Sequence, residues 1–184
     1  MNAPQWLLAL GIPEGCISNK SSAEEKGRQF SIRSRRGNKK DDIWRVQVDD
    51  CWLKDDAEKR VDYLFWGQSA SGRKVILLVE LKGQDFNKAL QQIASTLQRL
   101  CKHTEGNIVH TGHHRASPGH DPHGAGGVRA YVVLSRGRGV PQRQKEREKL
   151  RERYGVIVYH REQRLDANGL DDLLSQFHRQ NPGL

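Results

Sequence analysis

The sequence predicts a mixed α/β domain (an α+β mixed sheet), in which a meander of three strands is followed by alternating helices and strands that pack on one sheet. Three observations predict it. "KVILLVELKG", Lys74 to Gly83, carries an apolar run from Val75 to Leu81 broken only by Glu80, the pattern of a strand buried on both faces. "VDYLFWG", Val61 to Gly67, is rich in aromatic and branched residues, and the short "QSASGR" that joins it to the first run is turn chemistry, so the two strands should form an antiparallel hairpin. Beyond Gly83 the period changes: Phe86, Leu90, Ile93, Leu97 and Leu100 step by four and three and lay one apolar stripe along a helix, with Asp85 as its N-cap.

The remaining elements follow in chain order. "MNAPQWLLALGIPEG" has a short apolar patch without the basic leader and small-residue cleavage site of a secretory signal, and reads as a packing segment. Residues 21–32, "SSAEEKGRQFSI", open with serines followed by acids, which capping and dipole logic read as a helix start, weakened by Gly27. "IWRVQVDDCW", residues 43–52, alternates with period two and predicts the first strand of the meander. After the helix, residues 103–127 form a long loop rich in His and Gly, "VRAYVVLS" a strand, and "PQRQKEREKLRERYG" a helix that begins at Pro141 and is stopped by Gly155. "VIVYH" is a further strand, and a C-terminal helix lies at about 169–179. Residues 1–184 read as one domain with a core at about 20–161, because no repeat and no long linker divides them.

Lys and Arg number 31 against 22 Asp and Glu, and the net charge of +9 makes a polyanion the first partner to consider, nucleic acid before a membrane surface. No apolar run approaches the ~18 residues of a spanning helix, so no membrane partner is expected. Cys16, Cys51 and Cys101 are odd in number and widely spaced. They suggest neither a disulfide framework nor a zinc ribbon, and a reducing, cytoplasmic location fits best.

The candidate site starts from Glu80 and Lys82. Side chains two apart on a strand share a face, so both project to the side of Ile76 and Leu78, at the strand's exit. A hairpin centred near Ala70 and Ser71 has cross-strand partners whose numbers sum to 141 or 142, which sets Asp62 opposite Val79 or Glu80. Two close carboxylates repel and are costly to desolvate, and a divalent cation relieves both. Oxygen ligands favour Mg2+ or Mn2+, which can stabilise charge on a phosphate and activate a water, while a neighbouring lysine orients that water or neutralises the transition state. The ordinary reading of Glu80 and Lys82 is a salt bridge at a strand rim. Asp49 or Asp50 would stand in for Asp62 in a shifted register.

Asp62 followed eighteen residues later by "ELK" at Glu80–Lys82, on the second and third strands of a meander, resembles the PD-(D/E)XK nuclease superfamily. Val61 departs from the proline of that pattern. The resemblance covers roughly residues 20–135 and implies a restriction-endonuclease-like αβββαβ core, here with additional C-terminal helices and the long His/Gly-rich loop. It implies Asp62 and Glu80 as metal ligands, the Leu81 backbone carbonyl as a further ligand, and Lys82 in the water-activating or transition-state role. Members often add an acid from the first helix, for which Glu24 or Glu25 is the candidate, and a glutamine from the helix after "ELK", which Gln92 or Gln91 could match. The expected activity is metal-dependent hydrolysis of phosphodiester bonds, DNA before RNA, in settings such as phage defence or DNA repair. With no helix-turn-helix or zinc finger evident, specificity would come from a homodimer, a partner protein or nucleic-acid shape. The competing expectations are a catalytically dormant nucleic-acid-binding or scaffold protein on the same fold, and a metal-binding protein of the histidine loop.

That loop holds six of the eight histidines, His103, His110, His113, His114, His120 and His123. Without accompanying cysteines it reads as a polar loop whose Arg115 could contact a nucleic-acid backbone. Arg33, Arg35, Arg36, Lys39 and Lys40 form a basic cluster with the same potential for phosphate contact. The helix from Pro141 intersperses Glu146, Glu148 and Glu152 among its arginines, which supports a solvated helix with no role in the site. Trp44, Trp52 and Trp66 read as core.

Overall fold

A computed structural model describes residues 4–33, 41–54, 59–82, 85–103, 128–134 and 144–176. In chain order the elements are α1 (Gln5–Ala9), β1 (Ile17–Ser18), β2 (Ser22–Glu25), β3 (Arg28–Ile32), β4 (Asp42–Gln47), β5 (Tyr63–Gln68), β6 (Lys74–Lys82), α2 (Phe86–His103), β7 (Val128–Leu134), α3 (Gln144–Tyr154), β8 (Ile157–Glu162), β9 (Arg164–Ala167) and α4 (Leu170–Gln176). They build a mixed α/β architecture with two sheets: six strands in the order β1-β4-β5-β6-β7-β8, and three in the order β2-β3-β9.

The large sheet is mixed because its connections differ in length. Short links make β4, β5 and β6 an antiparallel meander. Helical crossovers then bring β7 and β8 in parallel to β6 and to each other. One face of this sheet packs on α1, α2 and α3 through Leu64, Leu78, Val132, Val158, Ile93 and Leu97. The opposite face packs on the small sheet and α4 through Phe30, Phe65, Leu77, Tyr131, Leu165 and Leu170. Phe30 lies 5.1 Å from the Phe65 ring and 5.6 Å from that of Tyr131, so the small sheet is joined to the large one by aromatic packing. Of the tryptophans, Trp44 is buried and Trp52 and Trp66 are partly buried against the helical-side core. No helix among the described residues is long and apolar enough to cross a membrane.

The turn between β5 and β6 is tied down from outside. Ser69 N–H donates to the Arg73 carbonyl at 2.8 Å, and Ala70 N–H to Asp41 Oδ1 at 2.9 Å. Arg73 pairs with Asp171 of α4 at 2.6 Å. Asp41 Oδ2 also accepts the Leu170 N–H at the start of α4. Leu170 reaches the sheet because Gly67 carries no side chain: a Cβ there would collide with the leucine's methyl groups.

Three expectations are corrected. Residues 21–32 are no helix but the hairpin β2–β3, turned by Lys26 and Gly27 at φ 47° and 75°. Two successive positive-φ residues make a tight hairpin turn, and Phe30 and Ile32 then bury one face with period two. Ser22, Glu24 and Glu25, which resemble a cap in sequence, lie on a strand, and the helices described before the meander are the five-residue α1 and a single 3-10 turn at Glu14–Cys16. Second, Cys16 and Cys51 are joined in a disulfide, Cα–Cα 5.7 Å across 35 residues. Spacing hid it because the turn at Glu14–Cys16 meets the turn at 48–52 only in the fold, and the pairing removes the cysteine argument for a reducing cytosol. Third, the single expected sheet is two. The strand expected over 43–52 ends at Gln47, and β9, parallel to β3, lies where no strand was read.

Candidate functional site

β6 is an interior strand, but its two neighbours cover it unequally. Pairing with β5 ends at Tyr63↔Val79, whereas pairing with β7 continues through Glu80↔Val132, Leu81↔Val133 and Lys82↔Leu134. The edge toward β5 is therefore open for the last three residues. Asp62, just ahead of β5, fills the place of the missing ladder with its side chain: Oδ2 accepts the Leu81 N–H at 2.5 Å. The register sum is 142, so Asp62 stands level with Glu80.

Glu80 completes the arrangement in the other direction. Its side chain lies on the helical face, fully buried, and Oε2 accepts the Asp62 N–H at 3.1 Å and the Gln92 Nε2–H at 3.2 Å. Each carboxylate is thus tied to the other residue's neighbourhood through a main-chain amide. Because a residue's N–H and C=O point to the same neighbouring strand, the Leu81 carbonyl faces the same open edge as the amide that Asp62 holds.

The approach to Asp62 is strapped to α2. Gln92, 4% exposed, also donates to the Arg60 carbonyl, which fixes the orientation of its amide. Thr96, fully buried one turn further on, accepts the Val61 N–H at 3.1 Å and donates to the Gln92 carbonyl at 2.9 Å. Val48 N–H donates to the Asp62 carbonyl at 3.0 Å, so residues 60–62 are held on both sides.

The other expected residues divide as follows. Lys82 ends β6 on the face of Glu80, and its side chain lies outside the described residues. Glu24 is exposed on β2 rather than helical. Glu25, also on β2, is half-buried and pairs with Lys26 at 3.3 Å. Burial raises the pKa of the Tyr63 phenol, Arg45 over the ring at 5.1 Å works against it, and Asp62, Glu25 and Asp50 add to the rise. Gln91 is exposed on α2, with Lys59 Nζ 3.5 Å from its Oε1. Arg33 pairs with Asp166 at 3.7 Å. Arg35, Arg36, Lys39, Lys40, Arg115 and the histidines from His110 to His123 lie outside the described residues.

Thr96 was missed in the sequence, yet it had a signal. Gln92 and Thr96 are four apart and flank Ile93 and Leu97 on the stripe, so two polar groups sit where a helix normally buries only apolar ones. Among the described residues, no group of three or more His, Cys, Asp or Glu side chains lies close enough to hold a metal ion. The oxygen donors around the open edge are two carboxylates and a carbonyl, a set suited to a hard divalent cation and lacking the sulfur or imidazole that softer metals favour. No family model, curated protein or solved structure matches the chain, so what the site does follows from its own chemistry.

Proposed function

We propose that this chain is a metal-dependent nuclease of the PD-(D/E)XK type, hydrolysing phosphodiester bonds in DNA in preference to RNA. The observation that carries the reading is the interlock of Asp62 and Glu80 at the exit of an interior strand, with the Leu81 carbonyl facing the same opening. The order of elements adds support: the meander β4–β5–β6, then α2, then β7 parallel to β6 is the order expected of the βββαβ part of such a core. The net charge of +9 suits a polyanionic substrate.

Asp62, Glu80 and the Leu81 carbonyl would hold Mg2+ or Mn2+. When bound, such an ion stabilises charge on the phosphate and makes a water more acidic. The protein's own groups do the positioning. The Leu81 amide fixes the Asp62 carboxylate, and the Asp62 amide with Gln92 fixes Glu80, so neither needs to reorient as charge develops. Lys82, two residues on along the same face, orients the attacking water or neutralises charge in the transition state.

Purified protein with Mg2+ should cleave plasmid or single-stranded DNA, EDTA should stop it, and Glu80→Ala and Lys82→Ala should remove it. Equal cleavage by wild type and variants would assign the activity to a contaminant and overturn the reading. One observation favours a second reading, a dormant nucleic-acid-binding protein: both carboxylates already accept main-chain N–H bonds, and Glu80 has no exposure. That reading predicts no cleavage by wild type and salt-dependent binding that survives Glu80→Ala without metal.

A further inference from the structure

A groove of about 480 Å3 runs between α2 and α3. Its volume is that of ordinary ligand clefts, roughly 300–1,000 Å3. The α2 wall presents Asn87, Gln91, Ser95 and Gln98, spaced four, four and three, so they form one uncharged polar stripe. The α3 wall presents Lys149 and Arg153, one turn apart and both exposed. The floor is apolar, with Leu90 and Leu150 buried beneath the opening. All eighteen residues of α2 lack Asp and Glu, while Lys88, Arg99 and Lys102 add positive charge. The one acid lining the groove is Glu146, at the end before Lys149.

The geometry points to this groove as the track of a single nucleic-acid strand, held on the helix that also carries Gln92 of the candidate site. Amides, a hydroxyl and two cations are the side chains that hold phosphate and sugar oxygens without reading bases. Glu146 repels phosphate at one end, so the backbone passes between the cations of α3 and the amides of α2. The same helix serves both regions: Gln91, in the groove, accepts from Lys59 at 3.5 Å, while its buried neighbour Gln92 holds Glu80. A duplex presents its phosphates on a surface too broad for a cleft between two packed helices, whereas a single strand enters. α3 therefore has a role despite its interspersed glutamates: of its charged residues, Lys149, Arg153 and one acid, Glu146, line the groove.

This inference rests on the proposed nuclease reading, and its test separates the two. Binding of a fluorescein-labelled single-stranded DNA 20-mer to the full-length Glu80→Gln protein is measured by anisotropy, in EDTA, across a salt series. Each phosphate contact contributes about 0.7 to the slope of log affinity against log salt for a single strand, so Lys149→Ala with Arg153→Ala should lower the slope by about 1.4. Removing Arg151 and Lys20, exposed cations outside the groove, should leave it unchanged. Gln98→Ala should weaken binding at every salt concentration without altering the slope. An unchanged slope in the Lys149/Arg153 variant overturns the groove while leaving the nuclease reading intact. A lowered slope together with no cleavage by wild type in Mg2+ supports the groove and removes the nuclease reading. A duplex that loses as much slope as the single strand overturns the single-strand assignment.

Discussion

Thr96→Val replaces a fully buried hydroxyl by a methyl group of nearly the same size, and so tests what holds Asp62 in place. The hydroxyl accepts the Val61 N–H, and Val61 is itself fully buried, so the variant leaves an amide without its partner in the interior. An orphaned buried donor costs about 1–3 kcal/mol. With a urea m-value of about 2 kcal/mol/M, the unfolding midpoint should fall by about 0.5–1.5 M. Thr96→Ser keeps the hydroxyl and loses a methyl group, at roughly 1 kcal/mol. Amide hydrogen exchange separates the two: Val61 should lose protection in Thr96→Val and keep it in Thr96→Ser. If the nuclease reading holds, kcat should fall in the valine variant with little change in KM, and serine should restore it, because the strap positions the site without touching substrate. A valine variant with wild-type midpoint and Val61 exchange would refute the reasoning.

Other outcomes follow from the same contacts. Gly67→Ala forces Leu170 to move and should destabilise by about 1–3 kcal/mol, read by urea denaturation; a neutral result would mean that α4 yields freely. The disulfide closes a loop of 35 residues, and reductant, or Cys16→Ser with Cys51→Ser, should lower stability by about 3–4 kcal/mol; an unchanged midpoint in reductant would show the bond contributes nothing. Burial works to raise the Asp171 pKa, but hydrogen bonds from Arg73, Ser71 and Ser69 outweigh it and hold the carboxyl below its ordinary value. Its stabilisation is present above about pH 4 and is lost as pH falls through the depressed folded value. Arg73→Ala should flatten stability against pH in that acid range by less than about 1 kcal/mol, since the pair is part-exposed; an unchanged acid limb would refute the pairing.

The elements read well from the sequence are those whose apolar pattern is long enough to have a period. β5, β6 and α2 are of that kind, and the hairpin turn between Gln68 and Arg73 limited the register to two choices, of which 142 is the one found. The hairpin β2–β3 is hard to read because strands of four and five residues give too little alternation to outweigh a serine followed by two glutamates. Its signal in the sequence is Gly27, which weakens a helix there because it forms the turn. β9 could not be found locally, since it pairs with β3 from more than 130 residues away. The Cys16–Cys51 link escaped for the same reason. Asp62 and Glu80 were approachable from spacing alone, whereas the strap through Gln92 and Thr96 depends on how α2 rotates onto the sheet.

The clamped turn at Ser69–Arg73 acts as a ruler. It stands about 24 Å from Asp62 at the ~3.4 Å per residue of an antiparallel strand, yet it counts which residue at the start of β5 arrives beside Glu80. Inserting one residue there would carry a side chain other than Asp62 to the open edge, on the opposite face, although no residue beside Glu80 had been substituted. Asp41 and Asp171, which grip the turn from β4's entry and from α4, thereby guard the alignment of acids they never touch.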